Sequence, residues 1–295
     1  MRNMIMIKDI FQSGKTVLSC EVFPPKRNDD IYGIFRTLDE IQPYHPDFIS
    51  VTYGAGGGNS KKTATIAAYI QNICEIEALA HLTSVAMDEN FLRQMVHELN
   101  KKGVHNVLAL RGDQPKDMSD EAFQSRHFQH ASDIIPIIRD AAQDDICVAA
   151  ACYPEKHPES ASVEEDLIHL RQKADTGVNF FITQMVFDNS KFIKFRDAAR
   201  TYGIQTPISV GIMPITSANQ IGTSVKLSGS SVPTQLSNLL AKYGENPEDM
   251  RKAGIDYAIR QINELIQENV DGIHVYTMNK SDVTREIFSQ IHIKR

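Results

Sequence analysis

The amino-acid sequence predicts a (β/α)8 barrel that is formed by residues 1–295 as a single domain. Eight short runs rich in β-branched and other apolar residues recur along the chain. Helix-like segments separate these runs, and alternation of strands with helices is typical of a parallel sheet. A length of 295 residues is close to that usual for a closed barrel, so we prefer the barrel to an open doubly wound sheet.

The predicted strands are nearly continuous in apolar residues, as expected of strands that are covered on both faces. In chain order they are VLSCEVF (17–23), FISVTY (48–53), ALAHLTS (78–84), HNVLALR (105–111), ICVAAACY (146–153), NFFITQ (179–184), PISVGIM (207–213) and GIHVYT (272–277). No linker rich in Pro, Gly or Ser and no sequence repeat divides them. We therefore predict one domain.

Two of the predicted helices carry clear end signals. Ser162 with Glu165 forms a candidate capping box, and Gly177 stands where a helix of this kind would end. Asn246 and Pro247 open a later helix. The apolar stripes are Val163, Leu167, Leu170 and Ala174 in the first helix and Ile255, Ala258, Ile259, Ile262 and Ile266 in the second. The longest connection, between strands seven and eight, contains SGSSVP, and we expect it to hold two helices and form part of the rim.

The composition excludes several classes of protein. The chain has 42% hydrophobic residues, 23% charged residues and a net charge of −6, which argues against a nucleic-acid partner, and no dense Lys/Arg cluster offsets this. Charges interrupt the N-terminal segment, and no run of eighteen apolar residues exists, so we expect a cytoplasmic protein without a membrane span. The cysteines lack CxxC spacing, and we expect buried free thiols: Cys20, Cys74, Cys147 and Cys152.

Polar residues at the carboxyl ends of the strands are the candidates for function, because the loops that follow barrel strands build the active site. They are Glu21, Thr52, His81, Thr83, Arg111, Gly112, Asp113, Tyr153, His157, Thr183, Gln184 and Tyr276. Glu21 stands between Cys20 and Val22, where an unpaired carboxylate would be costly. We therefore expect a function for it.

Two of these segments have competing interpretations. The tripeptide at 111–113 is compatible with an exposed adhesion signal, an ordinary polar turn or the functional end of a barrel strand. A cytoplasmic location disfavours the adhesion signal. The run GAGGGNSKK (54–62) lacks the spacing of phosphate-binding loops, so we interpret it as a flexible tight turn beside a ligand.

Single histidines and isolated ion pairs are weaker signals. His81 is compatible with a core histidine, and His157 with a plain loop residue. No two histidines have metal-ligand spacing on a helix, so we expect no metal site. Asp166 and Lys173, seven residues apart, are compatible with a surface ion pair of little consequence.

Six sequence blocks in order suggest a family. They are EVFPPK, SVTYGAGG, AHLTS, LALRGDQP, YPEKHPES and ITQMVFD. From about residue 15 to 280 the chain resembles the bacterial methylenetetrahydrofolate reductases. The resemblance implies a (β/α)8 flavoenzyme that takes a hydride from NADH or NADPH and releases the oxidised nicotinamide. By this ping-pong route it would reduce 5,10-methylenetetrahydrofolate to 5-methyltetrahydrofolate.

The resemblance also implies roles for the substrate-site residues. The methylene bridge of the folate accepts hydride poorly until one C–N bond breaks and an iminium forms, which requires an acid. The implied acid is Glu21, and an apolar strand end favours its protonated form. Asp113 is implied to stabilise the iminium cation and to bind the pterin. Gln184, Gln220 and Tyr276 complete the implied substrate site, with Gln184 hydrogen-bonding the pterin.

A larger set of residues is implied to hold FAD without a covalent bond. The set is Thr52, His81, Arg111, Gly112, Asp113, Tyr153, His157, Asp166 and Lys173. Arg111 suits the diphosphate or a ring carbonyl, and Gly112 permits close approach of the backbone. We expect Lys173 near phosphate and Asp166 near ribose, in preference to the surface ion pair.

One position departs from the family pattern. Ala218 stands where well-known bacterial members carry a bulky apolar residue that packs on substrate and nicotinamide, although Gln220 fits. We therefore hypothesise weaker binding of folate or NADH. Lys280 and Arg285, near strand eight, are candidates to meet a glutamate tail of the folate.

Several questions stay open at this stage. The alternatives to the flavoenzyme are direct hydride transfer from nicotinamide to folate without flavin, and a folate- or flavin-binding subunit whose partner protein supplies electrons. The choice between NADH and NADPH and the number of glutamates on the substrate are open. The resemblance implies a homo-oligomer of undefined size. Because the last predicted helix ends near Arg295, we expect no C-terminal regulatory domain.

Overall fold

Eight parallel strands, hydrogen-bonded in sequence order, close into a barrel, which confirms the predicted fold and excludes the open sheet. The computed structural model describes residues 5–25, 30–53, 60–85, 87–115 and 118–293. The strands are β1 (Val17–Val22), β2 (Phe48–Val51), β3 (Glu77–Thr83), β4 (Asn106–Leu110), β5 (Cys147–Cys152), β6 (Phe180–Thr183), β7 (Ile208–Ile212) and β8 (Gly272–Tyr276). Each overlaps one predicted strand.

Helices connect successive strands, and those that pack on the outside of the barrel bury a continuous apolar layer against it. The α-helices are α1 (Ile7–Phe11), α2 (Ile31–Ile41), α3 (Ser60–Asn72), α4 (Glu89–Lys101), α5 (Asp120–Gln124), α6 (Ala131–Ala141), α7 (Val163–Asp175), α8 (Asn189–Thr201), α9 (Ala218–Ser228), α10 (Thr234–Tyr243), α11 (Pro247–Gln267) and α12 (Ser281–Gln290). A short 3₁₀ turn, Gln42–Tyr44, follows α2. None of the helices in the described part of the chain is both long and apolar enough to cross a membrane.

The predicted helix ends are largely confirmed. The Ser162 hydroxyl accepts a hydrogen bond from the Glu165 amide at 3.1 Å, and Gly177 has a φ of +94°. Asn246 caps α11, with Pro247 as its first residue. Val163, however, is 51% exposed and does not belong to the buried stripe. The connection from β7 to β8 holds three helices, one more than predicted.

The amino-terminal end of the barrel is plugged. Helix α1, which the sequence analysis did not predict, packs the ring of Phe11 at 4.8 Å from that of Phe180 inside the barrel. The amide of Ile7 donates to the Asn106 side chain at 2.9 Å. An inner apolar cluster that includes Phe48 and Leu108 fills the space above. The opening therefore lies at the carboxyl ends of the strands, where the polar residues were predicted to meet.

All four cysteines are buried and free, as predicted. Burial raises the pKa of the Cys147 thiol to about 12 and also raises that of Cys20 and Cys152. These thiols are therefore protonated near neutral pH, which is the state expected of core residues.

Candidate functional site

A cavity of about 1530 Å³ opens at the carboxyl ends of the strands. A pocket for one drug-sized ligand occupies about 300 to 1,000 Å³, so this cavity can hold more than one such molecule. Every residue predicted for the site lines it: Glu21, Thr52, His81, Arg111, Gly112, Asp113, Tyr153, His157, Asp166, Lys173, Gln184, Gln220 and Tyr276. Residues 54–59 of the glycine-rich run and Lys26 of the EVFPPK block lie outside the described residues.

Glu21 lies deep in this cavity beside two histidines. Its Oε2 atom is 3.5 Å from Nε2 of His81 and 4.0 Å from Nε2 of His274. Burial lowers the pKa of His81 to about 4, although the charge of Glu21 acts in the opposite direction. His81 is therefore neutral near pH 7.

The environment of these histidines is polar and enclosed. Nδ1 of His274 lies 2.8 Å from the Ser19 hydroxyl, and its Nε2 lies 3.4 Å from that of Ser50. Nε2 of His81 is buried and has no hydrogen-bond partner among the described residues. A buried polar atom of this kind calls for a partner. In a cavity wall, that partner can be a ligand.

The turn after β4 requires glycine. Gly112 has a φ of +85°, and a Cβ atom there would lie 3.0 Å from both the Thr83 Cβ and the Val85 Cγ1 atoms. Arg111 forms an ion pair with Glu159 at 2.5 Å, and this contact lowers the pKa of the glutamate. Asp113 is exposed at the cavity wall. Both charged residues of the tripeptide thus line the cavity, and Arg111 is held by its ion pair.

The segment after β5 contributes an aromatic wall. The rings of Tyr153 and His157 meet edge to face, with their centroids 4.6 Å apart. Burial raises the pKa of Tyr153 to about 12 and lowers that of His157. A phenol and a neutral imidazole therefore face the ligand space near neutral pH.

Helix α7 directs a cation and an anion toward the same space. The Lys173 ammonium donates to the Ala151 carbonyl at 2.9 Å, and burial lowers its pKa. The Asp166 carboxylate accepts from the Ser160 hydroxyl at 2.8 Å. Both residues line the cavity and are only partly exposed. They therefore do not behave as a plain surface ion pair.

Two of the predicted substrate residues already use part of their side chains in hydrogen bonds within the protein. The Tyr276 hydroxyl donates to the Thr183 carbonyl at 2.7 Å, so its ring is the part that faces a ligand. The Gln220 amide oxygen accepts from the Thr216 and Ser217 amides at 2.8 and 2.9 Å in the cap of α9. Only the amide nitrogen of Gln220 remains to bind a ligand.

Gln184 also uses part of its side chain within the protein. Its amide oxygen accepts from the Met185 amide at 2.9 Å. The side-chain nitrogen is then the group that Gln184 can present to a ligand. Both glutamines of the predicted substrate site would therefore act as hydrogen-bond donors.

The structure places Ala218 outside the cavity wall, and the hypothesis of weaker folate or NADH binding stays a prediction. Ala218 is the first residue of α9 and is absent from the residues that line the cavity. Its Cβ atom would lie 3.3 Å from a Cβ added at Gly244, so a larger side chain would be directed toward the end of α10.

Arg285 lies 3.8 Å from Glu40 and lines a separate groove, so it is not placed to meet a glutamate tail.

The structure also brings in residues that the sequence analysis missed. His274 lies in the middle of β8 between apolar neighbours, where it resembled an ordinary core residue. His130 and Ser132 bring the start of α6 to the cavity. The Asp133 carboxylate accepts from the His130 amide at 2.8 Å, but a His-x-x-Asp spacing is not the usual capping-box pattern, so the sequence carried no standard start signal for this helix. Within the described chain, no group of three His, Cys, Asp or Glu side chains could hold a metal ion.

Comparison with known proteins identifies the family. The sequence model named methylenetetrahydrofolate reductase matches residues 6–292. The chain is 30% identical to 5,10-methylenetetrahydrofolate reductase of Escherichia coli over 281 residues, which are 95% of this chain and 92% of that protein. It is 31% identical to methylenetetrahydrofolate reductase (NADH) 1 of Arabidopsis thaliana, covering 92% of this chain and 48% of that protein.

The other comparisons agree. The chain is 32% identical to methylenetetrahydrofolate reductase 1 of Schizosaccharomyces pombe, covering 94% of this chain and 46% of that protein. It thus spans about half the length of its fungal and plant relatives. A solved structure from Clostridium thermocellum, described as binding two copies of 5-methyl-5,6,7,8-tetrahydrofolic acid, shares the fold with a TM-score of 0.65 at 15% identity, covering 97% of this chain and 98% of that one. The chain therefore belongs to the methylenetetrahydrofolate reductase family.

Proposed function

We propose that this protein reduces 5,10-methylenetetrahydrofolate to 5-methyltetrahydrofolate, with FAD as the resident hydride carrier and NADH or NADPH as the donor. The observation that carries the proposal is the position of Glu21. It is a carboxyl group at the bottom of a large cavity, 3.5 Å from a histidine that burial keeps neutral. A site for binding alone does not need an acid there.

The residues of the cavity fit FAD. Gly112 lets a planar group approach the backbone, and the buried Nε2 of His81 needs a partner. Lys173 supplies a cation for phosphate, and Asp166 a carboxylate for ribose hydroxyls. Arg111 would bind an anionic group of the cofactor only by sharing or releasing Glu159. When bound, the flavin would accept hydride from the nicotinamide and deliver it to the folate carbon.

The protein's own groups would then perform the proton chemistry. Glu21 protonates the nitrogen that departs when a C–N bond of the methylene bridge breaks. The exposed carboxylate of Asp113 stabilises the resulting iminium cation. Gln184 and Gln220 orient the pterin through their side-chain nitrogens, and the Tyr276 ring forms a wall of the cavity.

The choice of donor and the assembly are parts of the same proposal. Because the Arabidopsis relative is named for NADH, we propose NADH as the first donor to test. A cytoplasmic homo-oligomer is proposed on the resemblance alone, and analytical ultracentrifugation would test its oligomeric state. The flavin-free enzyme and the folate-binding subunit are the competing functions.

The deciding experiment is an anaerobic spectrum of the purified protein. We expect a flavin absorbance that bleaches with NADH and returns with methylenetetrahydrofolate. Protein that stays colourless after incubation with FAD, yet oxidises NADH with folate, would support the flavin-free enzyme. Binding of folate without turnover would support the subunit.

The role of Glu21 has its own test. We expect Glu21→Gln to slow flavin reoxidation by the folate by about 100-fold or more, because only that half-reaction needs the acid. Flavin reduction by NADH should stay within about twofold, since no proton from Glu21 enters it. Comparable losses in both half-reactions would contradict the assignment.

A further inference from the structure

The turn after β8 has an unusual backbone. Pairing between β1 and β8 reaches Glu21 opposite Tyr276 and goes no further. The chain then passes through two consecutive left-handed residues, Met278 with a φ of +51° and Asn279 with a φ of +56°. Such values are uncommon for residues other than glycine, although asparagine adopts them more often than most residues do. Two consecutive left-handed residues persist only where contacts with the surrounding structure stabilise them.

The Asn279 side chain uses this turn to grip β1. Its Oδ1 atom accepts from the Phe23 amide at 3.0 Å, and its Nδ2 atom donates to the Phe23 carbonyl at 2.9 Å. A primary amide presents one donor and one acceptor in the manner of a peptide group. Asn279 therefore extends the pairing of β1 with β8 beyond the point where backbone pairing ends.

A second contact holds Glu21 itself. The buried Thr277 hydroxyl donates to the Glu21 carbonyl at 2.6 Å and accepts from the Asn279 amide at 3.0 Å. The main chain is thus fixed at Glu21 and again two residues later at Phe23. Without these contacts, the end of β1 would be a strand terminus, where local fraying is easiest.

We infer that Asn279 is a positioning residue for Glu21. An acid must lie within hydrogen-bond reach of the atom that it protonates, and a displacement of about 1 Å is enough to slow a reaction strongly. Asn279 acts on this reach through the backbone of β1 and not by contact with a ligand. The inference rests on the proposed function, because it assumes that Glu21 is the acid.

The test compares two asparagines in the same backbone conformation. Asn279→Ala removes the grip, and Asn269→Ala is the matched control, because Asn269 has a φ of +52° at the distant end of α11. Both variants lose a residue suited to that conformation, and Asn279→Ala should lower the Tm further because it also removes the partner of the Phe23 amide and carbonyl. In holoenzyme, Asn279→Ala should slow flavin reoxidation at saturating folate by about tenfold or more. Flavin reduction by NADH and the Kd for folate should change by less than about threefold.

A double variant separates positioning from general damage. If Asn279 acts only through Glu21, Asn279→Ala should cause no further slowing in a Glu21→Gln background, because coupled changes are not additive. Asn279→Asp, which can still accept from the Phe23 amide, should lie between wild type and Asn279→Ala. It also serves as a milder variant should Asn279→Ala fold poorly.

The outcomes that overturn the inference differ from those that overturn the function. Normal reoxidation in Asn279→Ala, equal losses in both half-reactions, or additive slowing in the double variant would remove the positioning role while Glu21 stayed the acid. Normal reoxidation in Glu21→Gln, or a wild-type protein that fails the half-reactions, would overturn the role and the proposed function together.

Discussion

His81 shows how strongly a single residue is controlled by its surroundings. The residue is only 5% exposed, and its burial lowers the pKa from 6.5 to about 4. The neighbouring Glu21 is too weak an influence to reverse this effect. The charge that makes a histidine pH-sensitive is thus excluded from the site near neutral pH. The residue is suited to accept or donate a hydrogen bond as a neutral group.

This burial predicts a dependence of stability on pH. Between pH 6.5 and about 4 the unfolded chain binds a proton at His81 that the folded chain does not. The free energy of unfolding should therefore fall as the pH is lowered through this range, with about 3 kcal/mol of it due to His81. The free energy of unfolding is to be measured in urea at pH 7 and at pH 4.5. In His81→Gln, most of the His81 contribution to the difference between the two values should be lost.

The control for this measurement is His97→Gln, which removes an exposed histidine from α4. It should retain the wild-type difference in unfolding free energy between the two pH values. An unchanged difference in His81→Gln would show that His81 is not the buried group responsible.

At the scale of single elements, the turn after β4 depends on glycine for two separate reasons. Gly112 adopts a positive φ, and its backbone lies against Thr83 and Val85 at the end of β3. In Gly112→Ala, the positive φ would strain the backbone, and the added Cβ atom would clash with Thr83 and Val85. We expect a loss of about 1 to 3 kcal/mol in unfolding free energy and weaker FAD binding.

Gly14 provides a control that contains only the first effect. Its φ is +72°, and nothing lies within 4 Å of an added Cβ. Gly14→Ala should therefore cost less than Gly112→Ala and leave the Kd for FAD unchanged, as measured by flavin fluorescence. Equal costs in the two variants would show that close packing of Gly112 is unimportant.

Gly211 in β7 leaves room for the ring of Tyr276, because glycine has no side chain. A Cβ atom at Gly211 would lie 2.5 Å from the Thr183 carbonyl oxygen and 2.7 Å from Cε2 of Tyr276. We expect Gly211→Ala to displace the ring, to destabilise the protein by about 1 to 3 kcal/mol and to raise the KM for folate.

The comparison for this variant lies in α9. Nothing lies within 4 Å of a Cβ added at Gly222, so Gly222→Ala should stabilise the protein by up to about 1 kcal/mol through helix propensity. A Gly211→Ala variant with unchanged stability and unchanged KM would contradict the role of β7 in setting the ring.

At the scale of the whole molecule, one cavity draws on nearly every strand of the barrel. A ligand that binds there contacts parts of the chain that are far apart in sequence, so binding should stabilise the folded barrel as a unit. At a free concentration of 100 times its Kd, a ligand adds about 2.7 kcal/mol. We therefore expect FAD to raise the Tm of protein stripped of cofactor.

Riboflavin has the flavin ring but no diphosphate. If contacts of Arg111 and Lys173 with the diphosphate supply much of the affinity, riboflavin at the same concentration should not raise the Tm of the stripped protein. Equal shifts with FAD and riboflavin would place the binding energy in the ring site alone. No shift with either molecule would count against a flavin site in this cavity.

The sequence by itself determined the barrel, its eight strands and part of the cavity lining. These features are local where a polar residue lies in or directly after an apolar run, as Glu21, Arg111 and Gln184 do. Parallel strands in one barrel necessarily bring their carboxyl ends together. The residues at strand ends could therefore be assigned to one site without knowledge of any contact between them, whereas Asp166, Lys173 and Gln220 were assigned from the family resemblance.

Only the tertiary structure decided what each side chain does there. The pairing of Arg111 with Glu159, the grip of Asn279 on Phe23 and the place of His274 beside Ser19 join residues that are 48 to 256 positions apart. The outward direction of Ala218 is equally invisible in a list of residue types, whereas the use of the Gln220 oxygen in a helix cap matches the capping-box spacing of Ser217 and Gln220. Such features depend on which atoms folding brings within a few ångströms, and local patterns of hydrophobicity carry no record of that.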